Sequence, residues 1–209
     1  AICKGGLTSL SFMMIARNMA SAILALKGKF PVLTITGPRQ SGKTTLIRAL
    51  FAELPYFSLE TPDVYARLAE DPRAWFRTYG HQMVLDEVQR FPEILSYIQG
   101  IVDEDRAAQF ILSGSHNMLM MESVSQTLAG RTAIFYLYPL SYAELRPHLP
   151  DDATANWLGW QGGYPRIYDK DIPATAFYQA YLATYVERDV RQVKNIANLE
   201  AFTRFLRLC

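Results

Sequence analysis

The segment Gly37–Thr45, GPRQSGKTT, fits the pattern GxxxxGKT and directly follows the apolar run Phe30–Thr36. Glycines allow a loop to turn tightly, so that its backbone N–H groups can point inward at an anion. A helix that begins at such a loop adds further N–H groups and partial positive charge. The apolar run before this segment and the helical pattern after it therefore predict a phosphate-binding loop.

Individual side chains of this loop suit different parts of a nucleotide and its metal ion. Lys43 can reach the β and γ phosphates, and the Thr44 hydroxyl can bind Mg²⁺. The alternative for Lys43 is a surface lysine after a turn, and Thr45 is a weaker candidate for a phosphate contact. We assign Arg39 no catalytic role. The predicted ATP-binding residues of the loop are Gly37, Pro38, Arg39, Gln40, Ser41, Gly42, Lys43, Thr44 and Thr45.

An acidic pair follows a second apolar run, in the segment QMVLDE. Asp86 stands at the predicted strand end, where it can serve the magnesium ion, and Glu87 follows it. The second carboxylate can orient and polarise an attacking water, which suits ATP hydrolysis. The alternative is an acid pair that caps a helix at a turn.

Two further features concern the reacting phosphate group. Ser113 and Ser115 end the next apolar run, where a polar side chain can touch the γ-phosphate and the water, and the sequence does not choose between them. Arg131 closes the segment LAGR before the last run. An arginine there can enter the site of a neighbouring subunit and neutralise developing charge, or it can simply follow a glycine that ends a helix.

The elements that must position these residues follow from the hydrophobic pattern. Apolar runs alternate with helical patterns, which predicts an α/β fold with a parallel sheet and crossover helices. The predicted strands are Pro31–Thr36, Tyr56–Leu59, Gln82–Asp86, Gln109–Gly114 and Thr132–Leu137. The predicted helical stretches are Thr44–Leu54, Thr61–Tyr79, Phe91–Asp105 and His116–Gly130. Thr61 is expected to cap its helix through its hydroxyl, followed by Pro62 and Asp63.

We expect three regions along the chain. Residues 1–29 form an N-terminal extension and helix, 30–146 the ATP-binding domain, and 147–209 a helical lid or linker with the beginning of a truncated second domain. The most turn-like stretch is Arg146–Asn156. Beyond it, a long helix is predicted with Phe177, Tyr181, Tyr185 and Val186 on one face.

Composition narrows the class of protein. With 21 basic and 20 acidic residues, a net charge of +1 gives no overall signature of nucleic-acid or membrane binding. Arg17 and Asn18 interrupt the N-terminal apolar stretch, so it reads as an amphipathic helix rather than as a membrane anchor.

Cys3 and Cys209 indicate neither a disulfide framework nor a zinc site, which favours the cytoplasm. The histidines lack metal-ligand spacing: His81, His116 and His148.

Taken together, these motifs resemble the AAA+-type P-loop ATPases of bacteria and archaea that carry a C-terminal, nuclease-like domain of unknown function. The matching stretches run in family order from Phe30 to Ile196: TGPRQSGKTTL, LDEVQRFPEIL, FILSGS, LMMESVSQTLAGR, LYPLSYAEL, GGYP and YVERDVRQVKNI. The later motifs of the C-terminal domain are absent, so no nuclease function is carried over.

The resemblance implies a three-layer α/β/α fold with a five-stranded, mainly parallel sheet. Its phosphate-loop strand is expected to be central, beside the magnesium-acid and sensor strands. It further implies Asp86 as the magnesium-side acid, Glu87 as the catalytic glutamate, Ser113 or Ser115 as the sensor, and Arg131 as an arginine finger supplied within a homo-oligomer.

The leading hypothesis is an ATPase that uses ATP and Mg²⁺ to move an attached domain or partner. A second hypothesis is a nucleotide-gated module that binds DNA or protein, with a contact surface at the methionine-rich His116–Ser123; packing in a core or lid is the preferred interpretation of that stretch. A third is a small-molecule kinase, which the acid pair after a separate strand fits less well.

Overall fold

The structure is a computed structural model that describes residues 15–115, 124, 126–151 and 153–188, with residues 155 and 185–188 described by their backbone alone. Several predicted features lie outside these residues. They are most of the helical stretch His116–Gly130, the methionine-rich His116–Ser123, the part of the motif YVERDVRQVKNI after Arg188, both cysteines, and the side chains of Tyr185 and Val186.

Five strands form one parallel sheet. They are β1 (Val32–Gly37), β2 (Tyr56–Ser58), β3 (Gln82–Asp86), β4 (Gln109–Ser115) and β5 (Thr132–Tyr136). Every strand predicted from the hydrophobic pattern is confirmed to within one residue at each end. The strand order is β2-β3-β4-β1-β5, and each neighbouring pair is parallel.

The position of the phosphate-loop strand differs from the expectation. The middle strand of the sheet is β4, while β1 lies beside it and pairs with β4 and β5. The strand that ends in Asp86, β3, pairs with β4 and not with β1. The expected contact between the phosphate-loop and magnesium-acid strands was therefore wrong, because β4 lies between them.

Helices cover both faces of the sheet, which makes the three-layer α/β/α fold. The helices described before Pro150 include α1 (Met19–Leu26), α2 (Lys43–Leu50), α3 (Pro62–Glu70), α4 (Pro72–Tyr79), α5 (Ile94–Glu104) and the short α6 (Tyr142–Leu145). Short 3₁₀ turns span Val88–Arg90 and Arg146–His148.

Alternate strand residues enter two separate apolar cores, as the two-residue period of a strand requires. Val84 and Ile111 pack with α1 and α2 through side chains such as Ile23 and Ile47. Met83 and Leu112 face the other way, into the core that contains residues of α3, α4 and α5. Burial on both faces explains why these strands read as continuous apolar runs.

The stretch predicted as helical from Thr61 to Tyr79 divides into α3 and α4. Pro72 has no N–H group with which to continue the first helix, and Asp71 before it is extended. The Asp71 carboxylate accepts the Ala74 N–H at 2.9 Å and so caps α4. The expected cap at Thr61 was wrong, since its side chain makes no capping bond, although Pro62 does open α3.

A second compact unit begins at Pro150. Its described helices are α7 (Ala155–Gln161), α8 (Pro165–Asp169) and α9 (Ala174–Arg188). Tyr164 packs against Phe177 and Tyr181, with ring centroids 5.2 and 5.0 Å apart. Phe177 and Tyr181 stack on each other, so this part of the predicted apolar face of α9 is confirmed. Among the described residues, no helix is both long and apolar enough to cross a membrane.

The end of β1 depends on a glycine. Gly37 has φ +154°, and a Cβ placed there would overlap the carbonyl oxygen of Leu137. The Leu137 N–H donates to the Thr36 carbonyl at 2.7 Å, so the backbone after β5 runs directly against the beginning of the phosphate loop. This close approach requires the absence of a side chain at position 37.

We expect Gly37→Ala to lower the free energy of unfolding by about 2 kcal/mol or more, since the Leu137 backbone must shift to admit the methyl group. Gly100→Ala is the control, because Gly100 lies within α5 with nothing within 4 Å of its added Cβ. That change should stabilise by about 0.5–1 kcal/mol. Urea denaturation of both variants checks this, and an unchanged stability in Gly37→Ala would contradict it.

Candidate nucleotide site

The phosphate loop connects β1 to α2 at the carboxyl edge of the sheet. Gln40 and Gly42 have positive φ angles of 62° and 95°, and Gly42 immediately precedes the helix. Because Gly42 has no side chain, it cannot cap the free N–H groups of the first helical turn. These groups, with the partial positive charge of the helix N-terminus, are suited to an anion.

The side chain of Lys43 lies within the loop. Its ammonium donates to the carbonyl oxygens of Gly37 and Pro38, each at 3.0 Å, and the residue is only 6% exposed. Burial lowers the pKa of Lys43, while the charges of Glu87 and Asp86 act in the opposite direction. The ammonium is thus surrounded by loop carbonyls and faces the two predicted acids, which excludes the alternative of a surface lysine.

Thr44 and Asp86 meet at the same edge of the sheet. The Thr44 hydroxyl donates to Oδ2 of Asp86 at 2.9 Å, although the two residues are 42 positions apart. Asp86 is the last residue of β3, and it is 3% exposed. The two side chains proposed for magnesium from the sequence are therefore in direct contact.

Asp86 also receives hydrogen bonds from three other groups. Tyr56 on β2 donates its hydroxyl to Oδ2, and Ser113 on β4 donates its hydroxyl to Oδ1. The Glu87 N–H donates to Oδ1 at 3.1 Å. Burial, and then the hydrogen bond to Asp86, raise the pKa of Tyr56, so this phenol remains a donor at neutral pH. The Arg48 guanidinium lies 4.0 Å from the centre of the Tyr56 ring.

Glu87 occupies a strained backbone position. Its φ and ψ are 60° and 44°, in the left-handed region that a residue with a side chain adopts at a cost of about 1–3 kcal/mol. The left-handed residue ends β3 abruptly and begins the turn Val88–Arg90. Gln89 donates its side-chain N–H to Oε2 of Glu87. The Glu87 carboxylate is thus half-buried next to Asp86, with one oxygen held by a neutral donor.

The two candidate sensor serines have different surroundings. Ser113 pairs in register with Ile35 and is bonded to Asp86, whereas Ser115 pairs with Gly37 at the start of the loop. Within the part of the chain that the structure describes, three buried hydroxyls have no hydrogen-bond partner in this region: those of Thr36, Ser41 and Ser115. Buried hydroxyls without a partner are costly, which indicates that this site is arranged to receive a polar ligand.

The donor set of the site fits a phosphate ligand with Mg²⁺. Mg²⁺ is held by oxygen atoms, commonly by one or two protein groups together with water and substrate phosphates. Thr44 and Asp86 supply such oxygens, and Lys43 supplies a positive charge for the phosphates. Among residues 15–115 and the other described ranges, no group of three or more His, Cys, Asp or Glu side chains could hold a metal by itself.

Arg131 is not brought to this site within one chain. It precedes β5, whose first residue Thr132 pairs with Val32, whereas the loop follows the other end of β1. Six strand residues separate the two edges by about 17 Å. The Arg131 guanidinium instead binds both carboxylate oxygens of Asp103, at 2.6 and 2.8 Å.

Sequence reasoning missed two residues that contact this site. Tyr56 was seen only as the first residue of a strand, because nothing in its local sequence indicates which neighbouring strand it faces. Arg17 donates to the Ser41 carbonyl of the loop at 2.7 Å. A signal for Arg17 was present, since it interrupts an apolar stretch, but it was interpreted only as excluding a membrane segment.

Comparison with known proteins agrees with this geometry. Residues 29–146 match the family model described as an AAA domain, and residues 156–209 match one described as a domain of unknown function. The second match does not test the nuclease-like description expected from the resemblance, which stays a prediction.

Two curated relatives are uncharacterized proteins from Mycobacterium bovis and Mycobacterium tuberculosis. Each is 32% identical to the chain over 191 residues, which are 88% of the chain and 42% of the relative. The chain thus spans less than half the length of these relatives.

Among solved structures, the Walker-type ATPase paby2304 of Pyrococcus abyssi superposes with a TM-score of 0.54 at 16% identity. The superposition covers 93% of this chain and 77% of that one, and it bears on the fold alone. The family match extends over more than half of the chain and includes the loop and both acids. The chain therefore belongs to the AAA domain family of P-loop, nucleotide-binding ATPases.

Proposed function

We propose that this chain is a Mg²⁺-dependent ATPase that hydrolyses the γ-phosphate by direct attack of water and uses the cycle to move an attached domain or partner. The contact between Thr44 and Asp86 carries this proposal. It joins a hydroxyl of the phosphate loop to an acid on a separate strand, the pair that a magnesium ion bound to nucleotide phosphates requires.

In this mechanism the loop binds the phosphates through its N–H groups and those of the first turn of α2. Lys43 exchanges its bonds to the Gly37 and Pro38 carbonyls for bonds to phosphate oxygens. This exchange gives the buried ammonium a negatively charged partner. Such a partner favours the charged form, whereas burial lowers the pKa of Lys43. Thr44 and Asp86 would hold Mg²⁺, which when bound would supply positive charge to neutralise the phosphates.

Glu87 is proposed to accept a hydrogen bond from the attacking water, to aim that water at the γ-phosphorus and to take its proton as the bond to phosphorus forms. Glu87 directly follows Asp86, and its left-handed backbone ends β3 at this point. Ser115 is the better placed of the two sensor serines to touch the phosphate or the water. Among the described residues its hydroxyl, beside Gly37, has no hydrogen-bond partner, whereas the Ser113 hydroxyl is already bonded to Asp86.

A neighbouring subunit is proposed to supply Arg131. Its place at the opposite edge of the sheet from its own loop rules out a role in that loop, but it suits insertion into the site of an adjacent copy in a homo-oligomer. Its guanidinium is partly exposed and would exchange Asp103 for the transferred phosphoryl group.

The partner that is moved is proposed to act through the region after Pro150, where the match to a domain of unknown function lies. DNA or protein are the partner classes considered. A nucleotide-gated binding module with little hydrolysis remains the alternative function, and the turnover measurement below separates the two.

We expect Lys43→Ala to weaken ATP binding by about 100-fold or more, because charge-assisted hydrogen bonds contribute about 1.5–3 kcal/mol each. Lys29→Ala is the control, since Lys29 is exposed and precedes β1, at the edge of the sheet opposite the loop. Isothermal titration calorimetry of ATP with Mg²⁺ measures both. Equal affinities for the two variants would exclude Lys43 from the site.

Glu87→Gln should retain ATP binding and lose turnover by about 10²–10⁴-fold, as removal of a general base does. Glu93→Gln is the matched control, because it makes the same change at an exposed residue after the same strand. Phosphate release is measured with and without Mg²⁺. Tight binding with no turnover in the parent chain at any concentration would favour the nucleotide-gated module, and equal turnover in Glu87→Gln and the parent would remove Glu87 from the mechanism.

If Arg131 acts between subunits, turnover per subunit should rise with protein concentration and fall by on the order of 10³-fold in Arg131→Ala. Asp103→Ala removes the same ion pair but keeps the arginine, so its turnover should stay near that of the parent chain. The same loss in both variants would assign Arg131 a structural role only.

A further inference from the structure

Two oppositely charged side chains are buried beside the nucleotide site and take no part in the proposed reaction. Arg17, which precedes α1, donates from Nε to Oε1 of Glu144 in α6 at 3.2 Å. Their side chains are 9% and 7% exposed, and they lie 127 positions apart. Burial of an ion pair is costly unless further hydrogen bonds satisfy both members.

Glu144 is fully satisfied. Its Oε1 also accepts the Asn18 N–H at 2.8 Å, and its Oε2 accepts the Ser141 N–H at 2.8 Å and the Ser141 hydroxyl at 3.1 Å. Burial alone would raise the pKa of Glu144, but these backbone donors and Arg17 outweigh it and hold the pKa below its ordinary value. The carboxylate therefore stays charged and fixes the direction of the guanidinium.

The remaining nitrogens of Arg17 reach two other segments. Nη1 donates to the Ser41 carbonyl of the phosphate loop at 2.7 Å, and Nη2 donates to the Tyr138 carbonyl after β5. One planar guanidinium thus connects the loop, the segment after β5 and α6. Lysine could not reproduce this arrangement, because it lacks the rigid fork of donors.

The bond to Ser41 has a consequence for the next N–H group. In a trans peptide the C=O and the following N–H point in opposite directions, and all described peptides are trans. When Arg17 holds the Ser41 carbonyl toward itself, the Gly42 N–H is directed away from Arg17. Gly42 is the glycine immediately before Lys43, so its N–H is one of the donors that a phosphate-binding loop depends on.

We propose that Arg17 is a positioning residue for the phosphate loop: anchored on Glu144, it holds the Ser41 carbonyl and so orients the Gly42 N–H for a phosphate oxygen. The inference rests on the proposed function, since it assumes that this loop binds nucleotide phosphates. It assigns a role to the N-terminal segment and to the LYPLSYAEL motif, whose Ser141 and Glu144 form the capping box of α6.

The test compares Arg17→Met and Arg17→Lys with Lys27→Met. Lys27 follows the same helix α1 and forms an exposed ion pair with Glu53, so its variant controls for loss of a charge on this segment. Affinities for ATP with Mg²⁺ and for inorganic tripolyphosphate are measured by calorimetry, and the melting temperature of each variant is recorded. Tripolyphosphate is chosen because it has the phosphates but neither base nor ribose.

Arg17→Met should lower the affinity for both ligands by about 10-fold, the effect expected when one hydrogen bond to a charged group is lost. Arg17→Lys retains a charge for Glu144 but not the fork to both carbonyls, so its losses should be several-fold and equal for the two ligands. Lys27→Met should bind both as the parent does. If Arg17→Met does not fold, the result for Arg17→Lys decides the matter.

Three outcomes would overturn the proposal. A lower melting temperature with unchanged affinities in both Arg17 variants would mean that Arg17 only fastens α1 to the fold. A loss for ATP without a loss for tripolyphosphate would place Arg17 at the base or ribose instead. Failure of the parent chain to bind either ligand would remove the proposed function itself, and this inference with it.

Discussion

A carboxylate taken out of water must be surrounded by hydrogen-bond donors, and at Asp86 those donors come from the phosphate loop and from the strands on both sides. Thr44 arrives from α2, Tyr56 from β2 and Ser113 from β4. Each of these contacts ties a different helix or strand to the end of β3. The charge that is suited to serve a magnesium ion therefore also holds together the edge of the sheet where the nucleotide site lies.

The order of the strands explains how these donors reach one acid. With β4 between β1 and β3, Ser113 stands beside Asp86 while Ser115, two residues further along, stands beside Gly37. Two serines on one strand thereby acquire different surroundings: one is bonded to the acid, and the other, near the loop, has no partner for its hydroxyl within the described part of the chain. The same parallel arrangement carries Arg131 to the far edge of the sheet, because it precedes its strand and does not follow it.

A second buried carboxylate, Glu144, connects segments that the sheet does not join. It receives donors from the residues before α1 and from Ser141, the N-cap residue of α6, and through Arg17 it reaches the carbonyl of Ser41. Gly37 and Leu137 meet in the same region, where only a glycine allows the two backbones to approach. The phosphate loop is thus supported by charge on one side and by close backbone packing at its first residue.

The sequence by itself determined the features that depend on neighbouring residues. Apolar runs identified all five strands, and the glycine pattern with Lys43 and Thr44 located the loop, because turn geometry and strand formation are local requirements. It also placed Asp86 at the end of a strand with Glu87 directly after it, since an apolar run that ends in an acidic pair is a local pattern. The break between α3 and α4 is also local, since Pro72 cannot continue a helix, although the pattern from Thr61 to Tyr79 was interpreted as one helical stretch.

Only the tertiary structure decided which distant segments meet. The fold places β4 between β1 and β3. It also brings together residues 24 to 127 positions apart, in the bond from Tyr56 to Asp86 and in the bonds from Arg17 to Glu144 and Ser41. No periodicity or propensity encodes such pairs, because they result from how the helices pack on the two faces of the sheet. A buried charge accepts whichever donors that packing brings within reach, and its partners become visible only once the chain is folded.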